Sequence, residues 1–277
     1  MTAPRARLDA ELVRRGLARS REQAGDLVAA GLVAVAGQRA SKPATQVARD
    51  APITVTETDE PGYVSRGGHK LAGALTAFAD LVVEGRNALD AGASTGGFTD
   101  VLLRAGAAHV VEADVGYGQL AWSLRTDPRV TVMDRVNVRA LGPVTPVPDL
   151  VVADLSFISL TLVLPALVAA ATPGADFVLL VKPQFEAGKG RVGAGGVVRD
   201  TTDRSAAIEK VAGAAAGLGL GVQGITASPL PGPAGNVEYF LWLRRGAPPL
   251  DQEDLRRAIA GGPGGSSPRG QHEEGSD

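Results

Sequence analysis

The residue that most invites a chemical reading is Lys182, which closes the run Phe177-Val178-Leu179-Leu180-Val181 and precedes Pro183. An apolar run of this length between turn signals reads as a buried strand, and desolvating a lysine at its end is costly unless the group is used. Burial or a nearby positive charge lowers a lysine pKa, so that the amine can act as a base. A weakly nucleophilic hydroxyl needs such a base within hydrogen-bond reach. Asp114, Asp134 and Asp154 also end apolar runs; a carboxylate there either meets a ligand or caps the next helix. Lys70 and Glu238 are two further titratable groups. Taken singly, one is an ordinary first-turn helix lysine and the other a solvent-facing strand residue. The chain has no cysteine and three histidines, His69, His109 and His272. Disulfides, thiolate zinc sites and thiol nucleophiles are thereby excluded, and no metal is expected.

A second feature is the turn Leu89-Asp90-Ala91-Gly92-Ala93-Ser94-Thr95-Gly96-Gly97-Phe98-Thr99. Its glycines let backbone approach a ligand without a Cβ clash, and it joins a strand to a helix at the edge where open α/β sheets bind ligands. The dinucleotide fingerprint requires glycine at position 94, where Ser94 stands. A phosphate-binding P-loop requires lysine before Ser/Thr, but Phe98 precedes Thr99.

The elements that must position these groups alternate. Strands are expected at 88–91, 110–115, 130–133, 150–154 and 177–181, and helices near 97–105, 118–126, 160–171 and 204–218. A helix after Lys70 carries Leu71, Leu75, Phe78 and Val82 on one side, and a hairpin of 222–227 with 237–243 closes the sheet. Such alternation implies a parallel sheet with right-handed crossovers. The expected fold is thus α/β and Rossmann-like, with a mostly parallel seven-stranded sheet.

Ahead of it, residues 5–17 place Leu8, Leu12 and Val13 on one helical face, and Gly16 marks a stop. Ser20 and Gln23 form a capping-box pattern opening a second helix, with Ala24, Leu27 and Val28 buried and Gly31 ending it. Residues 32–36, the turn at Gly37-Gln38, and 53–55 read as short strands. Residues 1–49 hold nine Arg/Lys against four Asp/Glu, whereas the whole chain has a net charge of −2. A basic module on an acidic body fits a polyanionic partner.

With 277 residues, the chain suits one medium and one small domain. Its start is charged and lacks an apolar signal segment, so a cytoplasmic location is expected. Two uncharged stretches, 155–175 and 211–237, are broken by proline and glycine and do not read as bilayer spans.

The N-terminal wording resembles the S4 RNA-binding domain: Arg7-Leu8-Asp9, Gly16-Leu17-Ala18-Arg19-Ser20-Arg21, Gly31-Leu32-Val33-Ala34-Val35, Gly37 and Lys42-Pro43. By that resemblance Arg5, Arg7, Arg19, Ser20, Arg21 and Lys42 meet structured RNA. The loop at 90–97 resembles the Asp-x-Gly-x-x-x-Gly-Gly loop of class I methyltransferases, which holds S-adenosylmethionine. The implied cofactor contacts are Asp90, Gly92, Ser94, Thr95, Gly96, Gly97 and Phe98, Asp114 on the ribose hydroxyls, and Asp134 with Asn137 near the adenine.

Lys70, Asp154, Lys182 and Glu238 match, in order and in element, the Lys-Asp-Lys-Glu tetrad of the RrmJ/FtsJ-like 2′-O-methyltransferases. Ser65-Arg66-Gly67-Gly68-His69-Lys70-Leu71, Asp114-Val115-Gly116-Tyr117-Gly118-Gln119-Leu120, Asp154-Leu155-Ser156-Phe157-Ile158-Ser159 and Lys182-Pro183-Gln184-Phe185-Glu186 extend the match. With the S4 module, residues 5–245 resemble the TlyA family of ribosomal RNA cytidine 2′-O-methyltransferases, also called haemolysins. That resemblance implies Lys182 as general base and Asp154 and Glu238 as orienting groups. It implies that Lys70 positions ribose and phosphate and lowers the Lys182 pKa. Phe157, just past Asp154, reads either as a stack for a flipped base or as a core aromatic. The glycine-rich loop at 186–199 with Lys189, Arg191 and Arg199 reads either as a mobile basic flap over RNA or as a plain exposed loop. Arg66 is a further expected RNA contact. Where that family tends to carry a Trp-containing linker, this chain has Pro61-Gly62-Tyr63-Val64.

The expected organisation is an S4-like domain at 1–59, a linker at 60–66, a methyltransferase domain at 67–246, and a tail at 247–277 that is disordered from 261. The implied partners are ribosomal RNA, 16S or 23S, or ribosomal subunits, met by a monomer. Two other readings are a pore-forming haemolysin and a non-catalytic RNA-binding assembly factor.

Overall fold

The protein is described as a computed structural model covering residues 5–18, 21–29, 31–56, 62–188 and 190–263. The chain divides into two units, residues 1–66 and 67–277.

In the first unit β1 (Arg5–Arg7) runs into α1 (Leu8–Arg14), followed by α2 (Arg21–Ala29), β2 (Val33–Val35), β3 (Gln38–Arg39), β4 (Gln46–Ala48) and β5 (Ile53–Val55). Leu8, Leu12, Ala24 and Val28 recur at helical spacing and bury against Val33 and Val47. Both helices are followed by a glycine with positive φ, Gly16 and Gly31 at 72°, the left-handed stop that glycine adopts without steric cost. Residues 5–7, expected within the first helix, are instead a strand paired antiparallel with β4. Backbone pairing continues into the helix start, where Leu8 and Asp9 donate to the carbonyls of Thr45 and Pro43. β2 is the centre of a β3-β2-β5 sheet. Its turn is Ala36-Gly37, one residue earlier than expected, with φ of 49° and 78°, the geometry that a two-residue hairpin requires. The capping-box Ser20 and the side chain of Gln23 lie outside the described residues.

The second unit follows the expected alternation. It comprises α3 (Gly67–Ala77), β6 (Asn87–Ala91), α4 (Gly97–Arg104), β7 (His109–Asp114), α5 (Trp122–Arg125), β8 (Val130–Asp134), β9 (Leu150–Ala153), α6 (Leu160–Ala170), β10 (Asp176–Val181), α7 (Pro183–Glu186), α8 (Thr201–Ala216), β11 (Leu220–Ala227), β12 (Tyr239–Arg245) and α9 (Gln252–Ala260). The seven strands lie in the order β11-β12-β10-β9-β6-β7-β8. β8, β7, β6, β9 and β10 are mutually parallel, and β12 is antiparallel to both β10 and β11. Strand order reverses between β6 and β9, and at such a switch point the two loops leaving the carboxyl ends diverge and open a crevice. Every residue of β9 and β10 is buried, which accounts for their unbroken apolar runs.

Several boundaries differ from expectation. α3 ends at Ala77, so Val82 is 60% exposed while Leu71, Ala74 and Phe78 are buried. α5 is one turn rather than nine residues, because Gly118 turns the chain with φ at 66°. The uncharged stretch 155–175 is largely α6, capped by Ser159 accepting from the Thr161 N–H and buried through Leu160, Val163, Leu164 and Leu167. Residues 252–260, expected in a tail, form α9: Asp251 accepts from the Glu253 and Asp254 N–H groups, and Leu255 and Ala258 are buried. The continuation 264–277, expected to be disordered, lies outside the described residues. Among the described residues no helix is long and apolar enough to cross a membrane.

Candidate active site

Three strand ends and one helix start converge at the carboxyl edge of the sheet. Lys182 leaves β10, Asp154 leaves β9, and Glu238 enters the antiparallel β12 from the same edge, since Tyr239 pairs with Val181. Lys70 belongs to the first turn of α3. The sequence separates these four by up to 168 residues, yet the fold brings them together. Lys182 Nζ lies 2.5 Å from Asp154 Oδ1, and Lys70 Nζ lies 3.9 Å from Asp154 Oδ2. Lys70 donates to Glu238 Oε2 at 2.6 Å. Both lysines are buried, and Glu238 is fully buried rather than a solvent-facing strand residue. Asp154 therefore faces two buried cations, while Glu238 balances the second. In surroundings that exclude water, these attractions fix side-chain directions far better than they would in solvent.

One residue here carried no signal of its own. Lys182 donates to Ser156 Oγ at 2.9 Å. Glu186 is likewise unforeseen: it is buried and accepts from Ser159 Oγ at 2.5 Å and from the Leu160 N–H at 2.6 Å.

The glycine loop borders this centre. Gly92 has φ of 85°, and a Cβ there would lie 2.8 Å from the Asp154 carbonyl oxygen, so only glycine lets the two loops pass so closely. Gly96, with φ of 95°, would likewise drive a Cβ to 2.3 Å from the Leu124 side chain. Ser94, exposed with φ of 50°, donates its N–H to Asp114 Oδ2, while the Gly116 N–H reaches Oδ1. Thr95 accepts the Ala121 N–H. Gly97 opens α4.

Asp90 is wholly buried beneath the loop and accepts from Thr99 Oγ1 at 2.7 Å. It supports the loop from below, and burial pushes its pKa up to about 7. Its neighbour across the parallel strands, Glu112, is also raised to about 7, first by burial and then by the Asp90 charge. Phe98 turns into the core against Phe240, ring centroids 6.0 Å apart, so its ring is not part of the loop's open face. Asp134 accepts from the Gly118 N–H and meets Arg125. Asn137 uses its side chain to cap a short 3-10 turn by accepting from Arg139 N–H.

The residues present suit S-adenosylmethionine. Asp114 and Asp134 are half-buried at the ends of the neighbouring strands β7 and β8, on the far side of β6 from Asp154, a negative edge that favours a cationic ligand bearing vicinal hydroxyls. Beside them lies a loop whose positive φ values at residues 92, 94 and 96 leave its outer backbone open.

The expected RNA contacts are distributed. In the first unit Arg5, Arg7, Arg21 and Lys42 are exposed. Buried Asp9 accepts from Arg7 at 2.7 Å and Arg21 at 3.0 Å, and these guanidiniums hold its carboxyl well below the usual range. In the second unit Phe157 is 91% exposed, and its ring lies 5.2 Å from that of Phe185. Arg66 is half-buried. Arg19, Ser20 and Lys189 lie outside the described residues.

A doubly wound sheet with one antiparallel strand, a glycine loop at its switch point and acidic strand ends defines a class I, S-adenosylmethionine-dependent methyltransferase. The chain belongs to the FtsJ-like methyltransferase family, whose model matches residues 63–245, and it carries an S4 domain at residues 6–53. It is 61% identical over 268 residues to the 16S/23S rRNA (cytidine-2′-O)-methyltransferase TlyA of Mycobacterium tuberculosis, covering 94% of this chain and all of that one. Hemolysin A of Brachyspira hyodysenteriae is 37% identical over 84% of this chain and 98% of its own length. A solved structure from Streptococcus thermophilus, named as a candidate hemolysin, superposes with a TM-score of 0.74 at 40% identity, over 93% of this chain and 95% of that one.

Proposed function

We propose that the protein methylates the 2′-hydroxyl of a cytidine ribose in ribosomal RNA, with Lys182 as general base. The observation that carries this reading is the pair of buried lysines on either side of Asp154, at the edge where the cofactor loop opens. The 61% identity to a relative named for that activity on 16S and 23S RNA supports it independently.

S-adenosylmethionine supplies an electrophilic methyl group on a sulfonium. The protein's residues supply the rest. Asp154 holds the Lys182 amine at the strand end, and that amine takes the proton from the ribose 2′-OH as its oxygen bonds to the methyl carbon. When bound, the sulfonium would serve as the leaving group for that methyl. Lys70, anchored by Glu238, places positive charge where the ribose and its phosphate lie. Ser94, Thr95 and the backbone of 92–97 hold the donor, Asp114 takes its ribose hydroxyls, and Asp134 with Asn137 flanks the adenine. Alignment of hydroxyl, methyl and base supplies much of the rate.

Before that step the target base must leave its stack. Phe157, exposed beside Ser156, receives it. The arginines of the S4 unit with Lys42, together with Arg66 and Lys189, bind phosphates by charge-assisted bonds. One chain contains the whole tetrad, so a monomer suffices, and the substrate places its action in the cytoplasm. The proposed domain limits are an S4 domain at 1–59, a linker at 60–66 and a catalytic domain that starts at 67 and, rather than ending at 246, takes in α9, whose Leu255 and Ala258 join its core.

The test is methyl transfer from labelled S-adenosylmethionine to purified 16S and 23S RNA and to ribosomal subunits. The expected result is label on a cytidine ribose. Lysis of erythrocytes without methylation would favour a membrane-active protein, and tight RNA binding without methylation an assembly factor.

A further inference from the structure

Ser156 lies between two positions with assigned chemistry and has none itself. It is exposed, yet its Oγ lies 2.9 Å from the buried amine of Lys182 and accepts from it. The segment that carries it is fixed on both sides. Upstream, Asp154 meets Lys182 and its own N–H bonds to the Ala91 carbonyl. Downstream, buried Glu186 ties Ser159 and Leu160 to the segment that begins with Lys182. Phe157 stands against Phe185 with φ at 63°, a left-handed turn that a non-glycine residue adopts only where its surroundings hold it there. Ser156 thus occupies a held position beside the amine.

The chemistry of a basic lysine gives this contact a use. A neutral amine has two N–H groups and one lone pair. Among the described residues, Asp154 Oδ1 lies against Lys182 Nζ as an ion pair and Ser156 Oγ accepts a hydrogen bond from it. When each takes one N–H, only the lone pair remains, and its direction is fixed. With Asp154 alone, the amine rotates about the Cε–Nζ bond and the lone pair sweeps a cone. We propose that Ser156 is a positioning residue for methyl transfer, whose Oγ accepts one Lys182 N–H and thereby aims the lone pair at the ribose hydroxyl. After transfer the ammonium keeps both contacts, and its third N–H carries the proton taken from the 2′-OH. The inference rests on Lys182 being the base.

The test compares full-length wild type, Ser156→Ala, Ser156→Thr and Lys182→Ala in single-turnover methyl transfer to the ribosomal RNA or subunit that wild type modifies. Ser156→Ala is expected to slow transfer roughly 10- to 100-fold, the scale of a small misalignment, with the KM for RNA and the affinity for S-adenosylmethionine unchanged. Ser156→Thr, which keeps the hydroxyl, restores most of the rate. Because Ser156 is exposed, both variants are expected to unfold at the wild-type temperature. A Ser156→Ala enzyme with the wild-type rate overturns the inference, and so does a loss seen only in the KM for RNA or one that threonine leaves unrepaired. If Lys182→Ala is inactive while Ser156→Ala is fully active, only the role of Ser156 fails. If Lys182→Ala itself retains turnover, the assignment of the base fails, and the role of Ser156 with it.

Discussion

At the scale of single residues, the protein places charge where water is scarce. Glu238 is the clearest case. It is fully buried, one oxygen accepts from Lys70, and the other faces Gly232, where a Cβ would lie only 2.5 Å from Oε1. Gly232→Ala should therefore displace the carboxylate and loosen Lys70. The expected outcome is a loss of methyl transfer of about tenfold or more with S-adenosylmethionine binding retained, measured by steady-state kinetics beside calorimetry. Asp90 and Glu112 make a second case. Both are raised to about 7, so between their unfolded values near 4 and pH 7 the folded state holds protons that the unfolded state releases. Stability from this pair is present at low pH and lost as pH rises through about 7. Glu112→Gln should flatten that loss, making the variant more stable than wild type at pH 8 by on the order of 2 kcal/mol, with no such gain near pH 4. Urea unfolding at the two pH values measures it.

The same scale shows what could be read in advance. Lys182 was legible because an apolar run ended on it. Glu238 was legible only through family wording, since Val237-Glu238-Tyr239 alternates like an exposed strand edge although all three residues are buried. Ser156 entered only as part of a matching wording, with no role, because one serine in a turn is ordinary and its meaning comes from a lysine 26 residues away. Phe98 matched the loop wording, but its ring serves the core.

At the scale of elements, long buried strands announced themselves and short ones did not. β9 and β10 are covered on both faces, so their hydrophobic runs are continuous. β1 and β4 have three residues each, too few for periodicity to distinguish a strand from the start of a helix. α9 was legible in principle: Asp251 as a cap and Leu255, Ala258 and Ile259 at helical spacing precede the Gly-rich end. The β2–β3 turn carries alanine at φ 49°, where asparagine or glycine is better suited. Ala36→Asn should stabilise the first unit by about 0.5–1 kcal/mol, seen as a higher midpoint for its unfolding, with catalysis unchanged.

At the scale of the whole molecule, a basic S4 domain and an acidic methyltransferase unit divide two tasks, holding RNA and changing it. Asp9 binds Arg7 and Arg21 together, which orders their guanidiniums for the RNA contact proposed above. Arg21→Ala should weaken binding to ribosomal RNA across sequences. It should also reduce the slope of log affinity against log salt by about 1, as expected for one lost phosphate contact, read by filter binding at several salt concentrations.

The most direct test of the account is a single-turnover assay in which Lys182→Ala and wild type meet ribosomal RNA and labelled S-adenosylmethionine, with the product digested to nucleosides. The account predicts 2′-O-methylcytidine from wild type, none from the variant, and near-equal cofactor affinity for both. Undiminished turnover by Lys182→Ala, or label on a base rather than a ribose, would contradict it.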